Sequence, residues 1–151
     1  MYRAATTTTN HNERLTVKKQ IMVVDDEIGV RALVNVLLKR HGFGVQMAQD
    51  AFAALELMKA STADLFVLDV MMPDMDGFEL CERIRADPRL AQKPVIFLTA
   101  LADVTSRKRA LAVGANGILN KINLHQNLVT TICDLLCIQN TDARQRVSSF
   151  R

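Results

Sequence analysis

"LFVLDVMMPDMDG", residues 65–77, is an apolar run that delivers an aspartate, Asp69, at its far end before breaking into a loop of proline, aspartate and glycine. An apolar run without alternation reads as a strand buried on both faces, as in a parallel sheet covered by helices. A carboxylate at its exit does not belong to that core. Asp69 therefore marks the point where the strand emerges into a polar site.

The same unit recurs on both sides of this stretch. "QIMVVDDE" precedes "IGVRALVNVLLKRHG", whose apolar residues repeat at helical spacing and stop at Gly42. "FGVQMA" leads into "AFAALELMKA", the opening stretch into "GFELCERIRA", "PVIFLTA" into "VTSRKRALAVG", and "GILNK" into "LHQNLVTTICDLLCI". Five strand-helix units predict an α/β domain, doubly wound, with a five-stranded parallel sheet and helices on both faces. No GxGxxG or GxxxxGK[ST] turn follows any strand, so the usual warrant for a dinucleotide or nucleoside triphosphate site is missing.

In such sheets the ligand site lies beyond the carboxyl ends of the strands. The first strand closes in Asp25 and Asp26, the third in Asp69, the fourth in Thr99 and the fifth in Lys121, while the second closes in Ala48 and Gln49. Carboxylates crowded together repel and call for a cation, and an oxygen-only site with few protein ligands suits Mg²⁺. A metal beside a carboxylate, with a hydroxyl and an ammonium nearby, is an arrangement for phosphoryl transfer.

From about residue 19 to 138 the chain resembles the receiver domain of two-component response regulators. "IMVVDDE" is similar to the family's first-strand acidic motif, "LDVMMPDMDGFEL" to its phosphoacceptor strand and loop, "FLTA" to its fourth-strand switch motif, and "GANGILNK" to its approach to the fifth-strand lysine. The resemblance implies the flavodoxin-like receiver fold with strand order 2-1-3-4-5. It also implies that Asp69 accepts a phosphoryl group from the phosphohistidine of a sensor histidine kinase or a phosphotransfer protein. By the same resemblance Asp26 would bind Mg²⁺ directly and Asp25 would assist, with Asp69 and the backbone carbonyl of Met71 completing the ligands. Thr99 and Lys121 would hold the phosphoryl oxygens. Such a module is not an enzyme, although it assists its own phosphorylation and dephosphorylation, and its output is altered binding to a downstream partner or output domain.

The chain departs from the family at Ile118, where an aromatic residue is usual, at Ile122, where the lysine is usually followed by proline, and at Asp50-Ala51, where an asparagine-glycine type of turn is favoured. The first two bear on signal transmission rather than on chemistry. Without proline, a cis bond after Lys121 would cost about 2.5 to 4 kcal/mol, so a trans bond is expected.

Each residue also has a structural reading. Asp25 or Asp26 could cap the helix starting near Ile28, Asp69 could be a turn former before Pro73, Thr99 could serve β-propensity and Lys121 could be a surface residue. These readings would have to coincide at four strand ends. Pro73 and Gly77 are read as shaping the loop after the third strand, and Met71, Met72 and Met75 as apolar filling. Cys133 and Cys137, one helical turn apart, are read as helix packing, and His11, His41 and His125 receive no role.

The net charge of +3 resides in the ends: residues 1–19 and 139–151 together carry +5, leaving −2 for the receiver segment 20–138. Both ends are polar and aperiodic and are expected to be flexible tails, so direct nucleic-acid binding is not expected from the domain. Three cysteines without CxxC spacing fit a reducing compartment, and the N-terminus lacks the apolar centre of a secretory signal, so a cytoplasmic location is expected. Two other functional classes compete. A pseudo-receiver would use the fold for protein interaction without phosphorylation. A small-molecule phosphatase would want a second acid two residues after its nucleophile, where this chain has Met71.

Overall fold

Each apolar run is a strand in the computed structural model, which describes residues 17–61 and 63–141. Most of the two basic tails lies outside the described residues. The strands are β1 (Gln20–Val24), β2 (Gly44–Ala48), β3 (Leu65–Asp69), β4 (Val95–Thr99) and β5 (Gly117–Asn120). They pair in parallel in the order β2-β1-β3-β4-β5. The helices are α1 (Ile28–Arg40), α2 (Ala51–Met58), α3 (Gly77–Ala86), α4 (Val104–Ala112) and α5 (Leu124–Thr141). Among the described residues no helix is long and apolar enough to cross a membrane.

Burial explains the strand sequences. Every residue of β3 and β4 is buried, whereas β2, at one edge, keeps four of its five positions at least partly exposed. Alternate strand residues then feed two separate cores. Met22, Val24, Phe66, Leu68, Phe97 and Ile118 meet α2, α3 and Ala110 of α4, while Ile21, Val23, Leu65, Val67, Ile96 and Leu98 meet α1 and α5. The sheet is therefore covered on both faces, as the unbroken apolar runs required.

Three boundaries differ from the sequence reading. Asp25 stands just beyond β1 rather than within it, its backbone N–H donating to Ala48 O at 3.2 Å. Lys121 does not close β5 but opens a short 3-10 turn, Lys121–Asn123, capped by the Asn120 side chain, which accepts from Ile122 N at 2.9 Å. The last helix runs on to Thr141, past Ile138. All peptide bonds of the described residues are trans, including the one after Lys121.

Arg85, at the end of α3, has a role that no local pattern announced. Its guanidinium donates to the carbonyls of Gly114, Ala91 and Lys93 and to Asn116 Oδ1, at 2.7 to 3.2 Å. Asn116 Oδ1 in turn accepts from Val95 N at 2.9 Å, so one side chain ties α3 to the entrances of β4 and β5. The planar guanidinium fork meets several loop carbonyls at once, which a lysine could not do in the same geometry.

Cys81 on the same helix is fully buried; burial pushes its thiol up to about 11, and it lies 3.4 Å from the Val113 carbonyl. Cys133 and Cys137 are exposed. A thiol reagent at neutral pH should label those two in the folded protein, with Cys81 slower by roughly a hundredfold until the chain is unfolded in urea. Equal rates for all three thiols, followed by mass, would contradict this placement.

Candidate functional site

In the order 2-1-3-4-5, the chain leaves β1 and β3 towards opposite faces of the sheet, so their carboxyl ends flank an open crevice. The register Val24↔Leu68 sets Asp25 and Asp69 side by side at its floor. Asp25 is fully buried and Asp69 is 2% exposed, whereas Asp26 is exposed. Two consecutive aspartates thus divide: one enters the core, the other faces outward at the rim.

Neither aspartate caps α1, contrary to the structural reading. The N-cap position belongs to Glu27, whose side chain makes no capping bond, and Asp25 Oδ1 instead accepts from Glu27 N at 2.9 Å. Freed from capping, the Glu27 carboxylate reaches Lys121, accepting from Nζ at 2.8 Å. Lys121 Nζ also lies 3.1 Å from Asp25 Oδ2 and 3.1 Å from Asp69 Oδ1. One ammonium therefore faces three carboxylates.

The imbalance appears in the protonation chemistry. Burial, reinforced by the Asp25 charge, pushes the Asp69 carboxyl up to about 7 against the opposing pull of Lys121. Burial works against the charge on Lys121, but its hydrogen bonds to Glu27, Asp25 and Asp69 outweigh it and hold the ammonium above its ordinary range. Asp69 Oδ2 is buried with no hydrogen-bond partner, and the buried Asp25 Oδ2 meets only the Lys121 ammonium. Carboxylate oxygens of Asp25, Asp26, Glu27 and Asp69 gather within 4.8 Å of one another. Buried carboxylate oxygens in excess of local positive charge, with oxygen donors only, fit a hard divalent cation such as Mg²⁺.

A cavity of about 340 Å³ opens above this cluster, lined among others by Glu27, Asp69, Met71, Thr99, Leu101 and Lys121. Five residues singled out from the sequence, Asp25, Asp26, Asp69, Thr99 and Lys121, thus sit at or beside one site, together with Met71. Thr99 Oγ1 is turned to its own loop, donating to Leu101 O and accepting from Leu101 N, both at 3.2 Å. Glu27 is the site residue that sequence reasoning missed. Its signal is the third acid of "VDDE".

A parallel sheet of this order with a cation-seeking acid cluster at its switch point defines the class: a doubly wound domain of the CheY-like kind. Residues 21–133 match the family model described as the response regulator receiver domain, and the chain belongs to that family. The solved structure of Vibrio cholerae CheY4 superimposes with a TM-score of 0.76 at 29% identity, covering 79% of this chain and 99% of that one. A probable transcriptional regulator, ycf27 of Cyanophora paradoxa, is 39% identical over 119 residues, 79% of this chain and 48% of that protein. RpaA of Synechocystis, described as a DNA-binding dual master transcriptional regulator, is 36% identical over 102 residues, 68% of this chain and 42% of its own length. The chain thus spans about half or less of these curated relatives. Membership makes it a receiver of two-component signal transduction.

Proposed function

We propose that Asp69 is the phosphoacceptor of this receiver. The observation that carries the reading is the buried Asp69 carboxylate, one oxygen beside Lys121 and the other without a hydrogen bond, opening onto a cavity that also holds Thr99. An ionised Asp69 oxygen attacks the phosphorus of a phosphohistidine; the new O–P bond forms as the P–N bond breaks, and the imidazole leaves with the bonding pair. Lys121 is placed to exchange Glu27 for a phosphoryl oxygen, and the Thr99 hydroxyl, now bonded within its loop, would turn to donate to another. Asp25, Asp26, Asp69 and the Met71 carbonyl would hold Mg²⁺, which supplies charge neutralisation where carboxylates meet the incoming phosphate. In this sense the domain assists its own phosphorylation and dephosphorylation without being an enzyme acting on another substrate.

Four apolar side chains near the acid cluster are strongly exposed: Ile28 (76%), Met71 (77%), Leu101 (65%) and Ile122 (80%). They offer a dry collar for docking a sensor histidine kinase or phosphotransfer protein, in the cytoplasm. Incubation with Mg²⁺ and a small acyl phosphate should add one phosphate to the intact mass, and chelation of the metal should prevent it. No adduct at any donor concentration would favour the phosphorylation-independent interaction module instead.

The switch follows from Ile118, which is 1% exposed and packed in the core cluster that also holds Phe97 and Ala110. It lacks a ring to move between buried and exposed positions, and its branched side chain is stiff. A phosphate can bias a two-state element only by the difference in its affinity for the two states. Amide hydrogen exchange with beryllofluoride, a phosphate mimic, is expected to show its largest protection around Asp69 and smaller changes across residues 104–124. Changes of equal size across 104–124 would overturn this.

A further inference from the structure

A second cavity, about 470 Å³, lies between α3 and α4 beside the acid site. Its apolar surfaces come from Val70, Met71, Met72 and Phe78, of which Val70 and Phe78 are buried and Met71, shared with the acid site, is exposed. Three carboxylates, those of Asp74, Asp76 and Glu79, line it against a single cation, Arg109. Among the described residues neither Asp74 nor Glu79 has an ion-pair partner, and both are exposed.

Arg109 already shows what this cavity accepts. Its guanidinium carbon lies 4.3 Å from the centre of the Phe78 ring, and an Nη lies 3.6 Å from Asp76 Oδ2. Phe78 is a firm platform, with its ring 4.9 Å from that of Phe97 in a tilted contact. Arg109 itself is held loosely: its side chain is 54% exposed and the ion pair is long, the kind that contributes little to stability. Aromatic face, apolar walls and surplus carboxylates together complement a guanidinium carried on an apolar segment.

We propose that this cavity is a docking site for an arginine side chain of a partner protein, presented with an adjacent apolar residue, which displaces Arg109 from Phe78 and takes up the carboxylates left without a cation. The incoming guanidinium stacks on the ring while Asp74 and Glu79 hold its edge, and the apolar neighbour covers Met72. Arg109 then acts as an internal competitor that keeps the ring covered while no partner is bound. The proposal does not depend on phosphorylation of Asp69, so the two can fail separately.

The probe is the peptide acetyl-leucyl-arginyl-leucine amide, titrated into the intact protein and followed by the aromatic resonances of Phe78 and the amides of residues 74–79. Saturable shifts confined to that region are expected, with binding about tenfold weaker when citrulline, neutral but of the same shape, replaces the arginine. Asp74→Asn combined with Glu79→Gln should weaken binding by a similar factor, whereas Arg109→Gln should tighten it several-fold by removing the competitor. Shifts elsewhere, no saturation, equal binding of the citrulline peptide, or weaker binding to Arg109→Gln would each overturn the proposal. The same shifts produced by concentrating the protein alone would assign the cavity to a second copy of the chain and overturn it too.

Discussion

Asp69→Asn should abolish phosphate incorporation from a small acyl phosphate while making the metal-free protein more stable at neutral pH. The first effect follows from the nucleophile: an amide oxygen carries no charge and cannot form the acyl phosphate. The second follows from crowding. Asp69 is held at about 7 by burial and by Asp25, so the folded chain binds its proton more tightly than the unfolded chain, where an aspartate titrates near about 4. A group raised in this way contributes stability that is complete below about pH 4 and is lost as the pH rises through about 7. The parent should therefore lose stability relative to the Asn variant between about pH 4 and 7, by an amount on the order of a few kcal/mol, read from urea midpoints in chelator. Lys121 keeps Glu27 and Asp25 as partners in the variant, so removing one carboxylate leaves no buried cation alone. A variant that still gains one phosphate would refute the assignment, and parallel pH profiles would refute the crowding.

Gly77→Ala should be the most damaging small substitution near the site. Gly77 opens α3, and its N–H donates to Val70 O at 3.0 Å, which presses the first turn of the helix against the end of β3. A Cβ there would overlap the Asp69 carbonyl oxygen and lie 3.0 Å from the Asp69 carbonyl carbon and 3.2 Å from Val70 Cα. All three are backbone atoms of a buried strand end, so nothing can swing aside. The helix or the strand must shift, at a cost of roughly 3 kcal/mol and a melting temperature lower by roughly 10 °C, with phosphorylation impaired because Asp69 moves. Gly44→Ala is the contrast. The three atoms nearest its Cβ would belong to the amide end of the Gln20 side chain, which can rotate away, and the change should stay within about 1 kcal/mol. Equal melting temperatures for parent and Gly77→Ala would show that the strand end yields.

What could be read in the sequence is what is written along one dimension. Burial on both faces forces unbroken apolar runs, so β1, β3 and β4 were plain. The helices followed from their spacing and from Gly42 and Gly114, which take the positive φ of 83° and 86° that end α1 and α4. The residues that close those strands were legible for the same reason: a polar group at the exit of an apolar run is conspicuous wherever the strand lies. What the sequence could not decide was how side chains far apart in the chain divide a shared space. Asp25 and Asp26 are neighbours of one kind, and only the path of the chain out of β1 buries the first and exposes the second. Glu27 meets Lys121 across 94 residues of chain, and Arg85 meets Gly114 across 29. Such pairs leave no periodicity to read. The cavity between α3 and α4 is of the same kind, since it exists only because the sheet sets two helices side by side at a distance their side chains do not fill. Local chemistry therefore determined the elements and the candidate acids, and tertiary packing decided which carboxylate is buried, which cation it meets and which surface remains open.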